Sequence, residues 1–143
     1  QAVGTGADGQ SHLINGLPGE TPVQMVESAR QVGLLHPDAV KLQLLHVIRG
    51  TALADWYNAG RFSVMSQAEY VSVILRQLEV LPPETVIERI TGDGDRNKLI
   101  APLWSMRKIA VLSAIDKAQA QAGTWQGKAL GAALHNACQV ALP

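Results

Sequence analysis

Two short segments of this 143-residue sequence carry residue types that build ligand sites. The first is the glycine turn Asn15-Gly-Leu-Pro-Gly-Glu-Thr21, and the second is the pair His46 and Val47. Glycine lets a backbone approach a ligand closely, and imidazole can gain or lose a proton near neutral pH. The two segments together predict a site where a small ligand lies against the backbone of the glycine turn. A tight turn without a ligand fits the first segment equally well.

Two other patterns imitate known motifs but lack their context. The glycines of residues 4–9 have the spacing of a dinucleotide-binding loop, yet a predicted strand follows them where a helix is required. Residues 93–97 imitate the start of a calcium loop, but Lys98 and Trp104 occupy the positions of its glycine and its bidentate glutamate. We expect neither ligand.

The composition restricts the classes of function. Twelve basic and twelve acidic side chains leave a net charge of zero, which argues against a stand-alone nucleic-acid binder. No apolar run approaches the roughly 20 residues of a membrane span, and no leader pattern opens the chain, so we expect a cytoplasmic protein. The four histidines show no paired ligand spacing and Cys138 is the only thiol, so we expect no metal site. The first residue is Gln1, which suggests a piece of a longer protein.

The sequence around the two segments predicts a strand, a helix and a second strand. Residues 12–17 form a short apolar run that ends in the glycine turn. Thr21 can cap a helix, with Pro22 at its first position and Gln24 completing a capping box. Residues 39–48 predict the second strand. The two strands of such a unit are parallel and joined by a right-handed crossover.

The second predicted strand has unequal faces. Its aliphatic residues at positions 40, 42 and 44 point one way, whereas Lys41 and Gln43 point the other, because side chains alternate along a strand. Parallel strands are usually covered on both faces, so a polar face predicts a curved or barrel-like sheet whose inner wall lines a pocket. Lys41 and Gln43 are therefore predicted to line a substrate pocket.

The remainder of the chain is predicted to be mainly helical. Thr51 can cap a short helix, and Ser66 begins a capping box for a longer helix that ends before Pro82. The β-branched alternation of residues 85–91 predicts one further strand. A last helix is expected over residues 105–122. Its predicted inward positions are Ile109, Leu112 and Ile115.

Several segments, taken in order, resemble one known family. His12-Leu-Ile-Asn-Gly-Leu-Pro-Gly-Glu-Thr21 resembles the fifth strand of radical S-adenosylmethionine (radical SAM) enzymes, in the branch with the coproporphyrinogen dehydrogenases, the RNA methylthiotransferases and the Elongator-type catalytic subunit. Residues 44–54 resemble the sixth strand and the turn after it. Further segments resemble one bacterial group of radical SAM proteins: 66–70, 81–83, 89–93, 101–104 and 124–127. The resemblance covers about residues 12–127.

The resemblance implies a partial (β/α) barrel in which a four-iron, four-sulfur cluster cleaves S-adenosylmethionine to a 5′-deoxyadenosyl radical. The radical then abstracts a hydrogen atom from the substrate. In this family the fifth strand packs an aliphatic side chain against the adenine, a role that falls to Ile14, with Asn15 and Gly16 beside it. The end of the sixth strand also approaches the adenine, through His46 and Val47.

The sequence departs from the family in its missing parts. The CxxxCxxC cluster loop, the first four strands and the glycine motif that binds the methionine amino group are absent, and Cys138 has no matching spacing. The expected fold is α/β, with the last two parallel strands of a partial radical SAM barrel and a mainly helical C-terminal extension containing one further strand. The expected division is a loose arm or remnant (1–11), barrel (12–50), helical extension (51–127) and divergent tail (128–143).

We therefore expect the C-terminal part of a radical SAM enzyme, inactive by itself and dependent on the missing N-terminal half of the barrel. S-adenosylmethionine and the cluster are expected in the parent protein, and neither is expected on this chain alone. RNA, tetrapyrroles and small molecules are substrates among the relatives, so a nucleic acid is an open alternative for the parent only. The alternative function is a non-catalytic α/β binding or interaction module. A three-cysteine loop upstream in the gene would separate the two.

Overall fold

Strands and helices alternate along the chain in the structure, a computed structural model that describes residues 3–5, 9–92 and 94–131. The elements are β1 (Val3–Thr5), β2 (Gln10–Asn15), α1 (Pro22–Leu34), β3 (Ala39–Leu44), β4 (Val47–Ile48), α2 (Ala52–Asn58), α3 (Gln67–Glu79), β5 (Val86–Arg89), β6 (Leu99–Ala101) and α4 (Lys108–Ala122). A 3₁₀ turn, Leu103–Met106, precedes α4. Asp93 and Cys138 lie outside the described residues.

The capping box predicted at Thr21 is present. The Thr21 hydroxyl accepts a hydrogen bond from the Gln24 N–H at 3.2 Å, and the Gln24 side chain accepts one from the Thr21 N–H at 2.9 Å. Pro22 occupies the first helical position, where its missing N–H needs no partner. The first turn of α1 thus satisfies backbone donors that a helix end leaves free. This explains why α1 begins directly after the glycine turn.

The main sheet contains three parallel strands. β2 pairs with β3 and β3 pairs with β5, both in parallel. The further strand predicted at residues 85–91 is therefore the third parallel member of the sheet, and the α/β class is confirmed. β1 pairs antiparallel with the outer edge of β2, where a loose arm or remnant was expected for residues 1–11.

The hydrophobic core lies on one face of this sheet. Alternation along β3 places Leu42 in the same hydrophobic core as residues of α1 and α3, and Leu42, Ala29 and Ile74 are each 0% exposed. Lys41 and Gln43 project from the opposite face and are half-buried. The predicted alternation is thus present. The same core continues through α3 and α4, so the boundary expected near residue 50 divides a shared core.

The strand predicted over residues 39–48 is two strands, and this prediction is wrong. β3 ends at Leu44, where the Leu45 N–H donates to the Asn15 carbonyl at 2.8 Å. Val47 and Ile48 then pair antiparallel with β6 in a separate two-stranded sheet. Val47 is 0% exposed and packs into a second, smaller core, which draws the chain away from the main sheet.

Helix α4 buries a different stripe from the predicted one. Ile109 is 83% exposed and Leu112 is 42% exposed, so both are wrongly predicted, whereas Ile115 is 2% exposed. The helix begins at Lys108, because Ser105 belongs to the preceding 3₁₀ turn. Small residues on the observed stripe let α4 lie close to α3. The stripe consists of Val111, Ala114, Ile115 and Ala118.

Within the described part of the chain, no helix has the length and apolar character needed to cross a membrane.

Candidate functional site

Three strand ends meet at one edge of the main sheet. Because β2, β3 and β5 are parallel, their carboxyl ends lie side by side, which is where α/β folds place ligand sites. The residues that follow these strands are Gly16 after β2, Leu45 and His46 after β3, and Ile90 to Gly92 after β5. We call this the strand-end edge.

Ile14 and Gln43 are neighbours on the sheet face that points away from the core. They are register partners in the parallel pair of β2 and β3, and both are half-buried. Lys41 lies two residues earlier on the same face. Its Nζ is 3.5 Å from the Glu88 carboxylate, which also accepts a hydrogen bond from Gln10 at 3.0 Å. This face, which we call the open face, therefore combines an aliphatic side chain, an amide and an ion pair.

Asn15 points to the opposite side. It is 1% exposed, and its Nδ2 donates to Gln77 Oε1 at 2.8 Å while Gln77 Nε2 donates back to Asn15 Oδ1 at 2.8 Å. Gln77 Nε2 also donates to the Met25 carbonyl at 2.9 Å. The Asn15 side chain thus ties β2 to α1 and α3. Sequence reasoning missed Gln77, although a glutamine between the apolar positions 74 and 78 of α3 is a visible signal.

Gly16 is required by the backbone conformation of the turn. Its φ is +90°, and a Cβ there would come within 3.4 Å of Met65 Sδ and 3.7 Å of Leu44 Cδ1. Its turn borders a cavity of about 380 Å³ whose other wall is residues 61–65. Burial raises the pKa of the Glu20 carboxyl, which also lines this cavity. The cavity lies within the range of roughly 300–1,000 Å³ typical of small-ligand pockets.

His46 carries a neutral imidazole at the strand-end edge. Burial, and then the positive charge of Lys108, lower its pKa below the ordinary value of 6.5. Its Nε2 is buried and has no hydrogen-bond partner among the described residues. Gly92 and Gly94 lie directly against the ring. The side chain of Val47, in contrast, is committed to the smaller core.

The residues do not fit an iron–sulfur cluster. Such clusters are held by several cysteine thiolates, and Cys138 is the one cysteine of the sequence. In the described ranges, no group of three or more His, Cys, Asp or Glu is arranged to hold a metal ion.

Comparison with known proteins identifies relatives over most of the chain. Residues 37–121 match the family described as Radical_SAM C-terminal domain. The chain is 43% identical over 118 residues to protein YtqA of Bacillus subtilis (strain 168), a match covering 82% of this chain and 37% of YtqA. It is 29% identical over 86 residues to Elongator complex protein 3 of Homo sapiens, covering 58% of this chain and 16% of that protein. The chain thus spans little more than a third of YtqA.

A solved structure shares the fold. The archaeal Methanocaldococcus infernus Elp3 with an N-terminal deletion of residues 1–46 superposes with a TM-score of 0.62 at 20% sequence identity, covering 82% of this chain and 28% of that chain. This likeness supports the arrangement of strands and helices described above. Because the family match extends over more than half of its length, this chain belongs to the radical SAM C-terminal domain family.

Proposed function

We propose that this chain is the C-terminal part of a radical SAM enzyme and forms the adenosyl-binding side of its site. The observation that carries the proposal is the strand-end edge, where the open face bearing Ile14 leads into the Gly16 turn in a member of this family. A purine needs an apolar surface and a few hydrogen-bonding groups. The open face and the strand-end edge offer both.

Each residue of this edge has a distinct role in the proposal. Ile14 supplies the apolar contact to the purine, because it is half-buried on the face that the core does not use. Gly16 lets the backbone approach the ligand, and its φ of +90° fixes the turn that does so. The neutral imidazole of His46 can donate one hydrogen bond and accept another.

Asn15 and Val47 act through position rather than through their side chains. The amide nitrogen and oxygen of Asn15 both bond to Gln77, and the Val47 side chain is buried in the smaller core. Both residues therefore hold the backbone of the edge in place. Lys41 and Gln43 lie further along the open face, where we propose that they face the substrate.

The radical chemistry depends on groups that this chain does not hold. S-adenosylmethionine, when bound beside a cluster in the parent protein, supplies the 5′-deoxyadenosyl group that abstracts a substrate hydrogen. The cysteines for that cluster must come from the missing N-terminal half, because one thiolate is insufficient. The contribution of this chain is to bind and orient the adenosyl group.

We propose that the missing half packs against the exposed flank of α1, on the β1 and β2 side of the sheet. Among the described residues, β1 pairs with β2 from Ser11 to Leu13. On this flank, Val23 is 66% exposed and Leu35 is 69% exposed, and both line a groove of about 670 Å³. The other flank of α1 is occupied, since Gly33 lies against the Val80 carbonyl. A further helix would cover the apolar groove.

Anaerobic reconstitution tests the proposal. The parent gene is sequenced, and both the full-length protein and the 143-residue chain are reconstituted with iron and sulfide and then analysed for both elements. We expect a three-cysteine loop upstream, a stoichiometric cluster on the full-length protein and none on the short chain. Full-length protein with those cysteines changed to alanine is the matched control.

Two results would overturn the proposal. A stoichiometric cluster on the isolated chain would contradict the division of labour between the two halves. A parent gene without the cysteine loop would favour the non-catalytic binding module instead.

A further inference from the structure

Two glycines after β5 lie so close to the His46 ring that a Cβ at either would crowd it. A Cβ at Gly92 would lie 2.7 Å from His46 Cε1, and a Cβ at Gly94 would lie 3.0 Å from His46 Nδ1. Real Cβ atoms essentially never approach another heavy atom within 3.0 Å, so a side chain at position 92 would displace the ring. Neither glycine has a φ in the left-handed region. Space for the imidazole, rather than backbone conformation, therefore accounts for both glycines.

Other glycines of the chain serve a different purpose. Gly60 and Gly123 have φ values of +71° and +61°, and a Cβ at either would meet nothing within 4 Å. They follow the ends of α2 and α4, where the left-handed conformation favours glycine. The contrast separates glycines that the backbone requires from glycines that a neighbouring side chain requires.

The ring that they hold lies between two strand ends. His46 follows β3, and Gly92 and Gly94 follow β5, so the contact joins two neighbouring ends of the parallel sheet. Tyr70 of α3 fixes the same segment, because its hydroxyl donates a hydrogen bond to the Ile90 carbonyl. The chain is thus anchored at Ile90, two residues before Gly92.

We propose that Gly92 and Gly94 are positioning residues that hold the His46 imidazole at the strand-end edge, which makes these two glycines a third side of the ligand site. The positioning of the His46 ring by the two glycines, which we call the clamp, is inferred from the contact distances. The assignment of the clamped ring to an adenosyl site rests on the proposed function.

Diethyl pyrocarbonate, which acylates accessible neutral imidazoles, tests the clamp in the 143-residue chain. The modification rate of each histidine is measured by mass spectrometry in the parent chain and in Gly92→Ala. His36, whose side chain is 74% exposed, provides the rate reference, and His12 reports on general loosening of the main sheet. We expect the His46 rate to rise several-fold in Gly92→Ala while the His12 rate stays unchanged.

Gly33→Ala is the matched control. A Cβ at Gly33 would lie 2.6 Å from the Val80 carbonyl oxygen, so this variant introduces a comparable clash away from the strand-end edge. It should lower the melting temperature without a selective rise at His46. An unchanged His46 rate in Gly92→Ala would overturn the proposal.

If all histidines become more reactive in Gly92→Ala, Gly94→Ala provides the deciding variant, because its Cβ would lie 3.0 Å from the His46 ring instead of 2.7 Å. If that variant also exposes all histidines together, the glycines serve the fold at large and the proposal fails. The ligand assignment is tested separately by titrating S-adenosylmethionine into the full-length protein. Weaker S-adenosylmethionine binding by Gly92→Ala than by Gly33→Ala supports the assignment of Gly92 and Gly94 to the ligand site. If both variants bind S-adenosylmethionine equally although His46 is more reactive in Gly92→Ala, the glycines position the ring but the ring is not part of the ligand site.

Discussion

The two faces of the main sheet differ in what covers them. On the core face, Leu42 is 0% exposed and contacts the helices, and the amide of Asn15 is fully paired. On the open face, Ile14 and Gln43 are half-buried and Lys41 meets Glu88. Stability therefore comes mainly from one face, and the proposed ligand binding belongs to the other. Adjacent residues of a single strand can test this separation, because they alternate between the faces.

The largest effect is expected on the core face of β3. Leu42→Ala removes a fully buried side chain, so the free energy of unfolding should fall by about 2–5 kcal/mol. Gln43→Ala, one residue further, should change it by no more than about 0.5 kcal/mol. Urea unfolding followed by circular dichroism measures both values. Equal losses would break the comparison between the faces.

The buried amide pair should come next. Asn15→Leu removes both hydrogen bonds between Asn15 and the buried Gln77 amide. The free energy of unfolding should therefore fall by about 1–3 kcal/mol. The double variant Asn15→Leu with Gln77→Leu should be more stable than the sum of the single losses implies. Urea unfolding of all four chains gives the coupling free energy. A coupling near zero would show that the pair does not tie β2 to α3.

His46 should make stability depend on pH. Because its pKa is lowered in the folded chain, the unfolded chain binds a proton more readily, and the contribution of His46 to folding is lost as pH falls below about 6.5. The raised pKa of Glu20 acts in the opposite direction. Thermal melts at two pH values on either side of this midpoint should show a drop at the lower pH that is smaller in His46→Asn. The difference between the two chains removes the contribution of Glu20. An identical drop in both would contradict the burial of the imidazole.

The smallest effect is expected from the ion pair on the open face. The side chains of Lys41 and Glu88 remain 27% and 31% exposed, so solvent screens their 3.5 Å contact. Lys41→Ala should lower the free energy of unfolding by less than about 0.5 kcal/mol. A loss above about 1 kcal/mol in urea unfolding would mean that the open face also stabilises the fold.

Much of the fold could be predicted from local sequence rules. The capping box at Thr21 and the alternation along β3 depend on residues within a few positions of one another, and both are present. The end of β3 at Leu44 could not be predicted in this way. It depends on a hydrogen bond from Leu45 to Asn15 and on the pairing of β4 with β6, which lies some 50 residues away.

Local sequence rules likewise predict only part of the candidate site. Alternation placed Lys41 and Gln43 on a common face, and the register then brought Ile14 beside Gln43. The partner of Asn15 is 62 positions away, and two strands and two helices separate Gly92 from His46 along the chain. Ile109 and Leu112 match the helical period as well as Val111 does, so only tertiary packing decides which stripe α4 buries.

Gly16→Val is a less selective probe of the central claim than Ile14→Ala. At Gly16, φ is +90° and Met65 lies close, so a side chain would strain the turn whether or not a ligand binds there. Ile14 lies on the open face, where truncation removes apolar contact without opening the core. The half-buried Val26 of α1 serves as the control behind the sheet.

Calorimetric titration of S-adenosylmethionine into the full-length protein tests most directly whether the strand-end edge binds the adenosyl group. Ile14→Ala removes three side-chain carbon atoms, and the lost apolar contact of about two of them should weaken binding roughly tenfold. Val26→Ala should lower the melting temperature and leave the affinity unchanged. If Ile14→Ala binds S-adenosylmethionine as tightly as the parent protein, the open face does not contact the adenosyl group and the central claim is wrong.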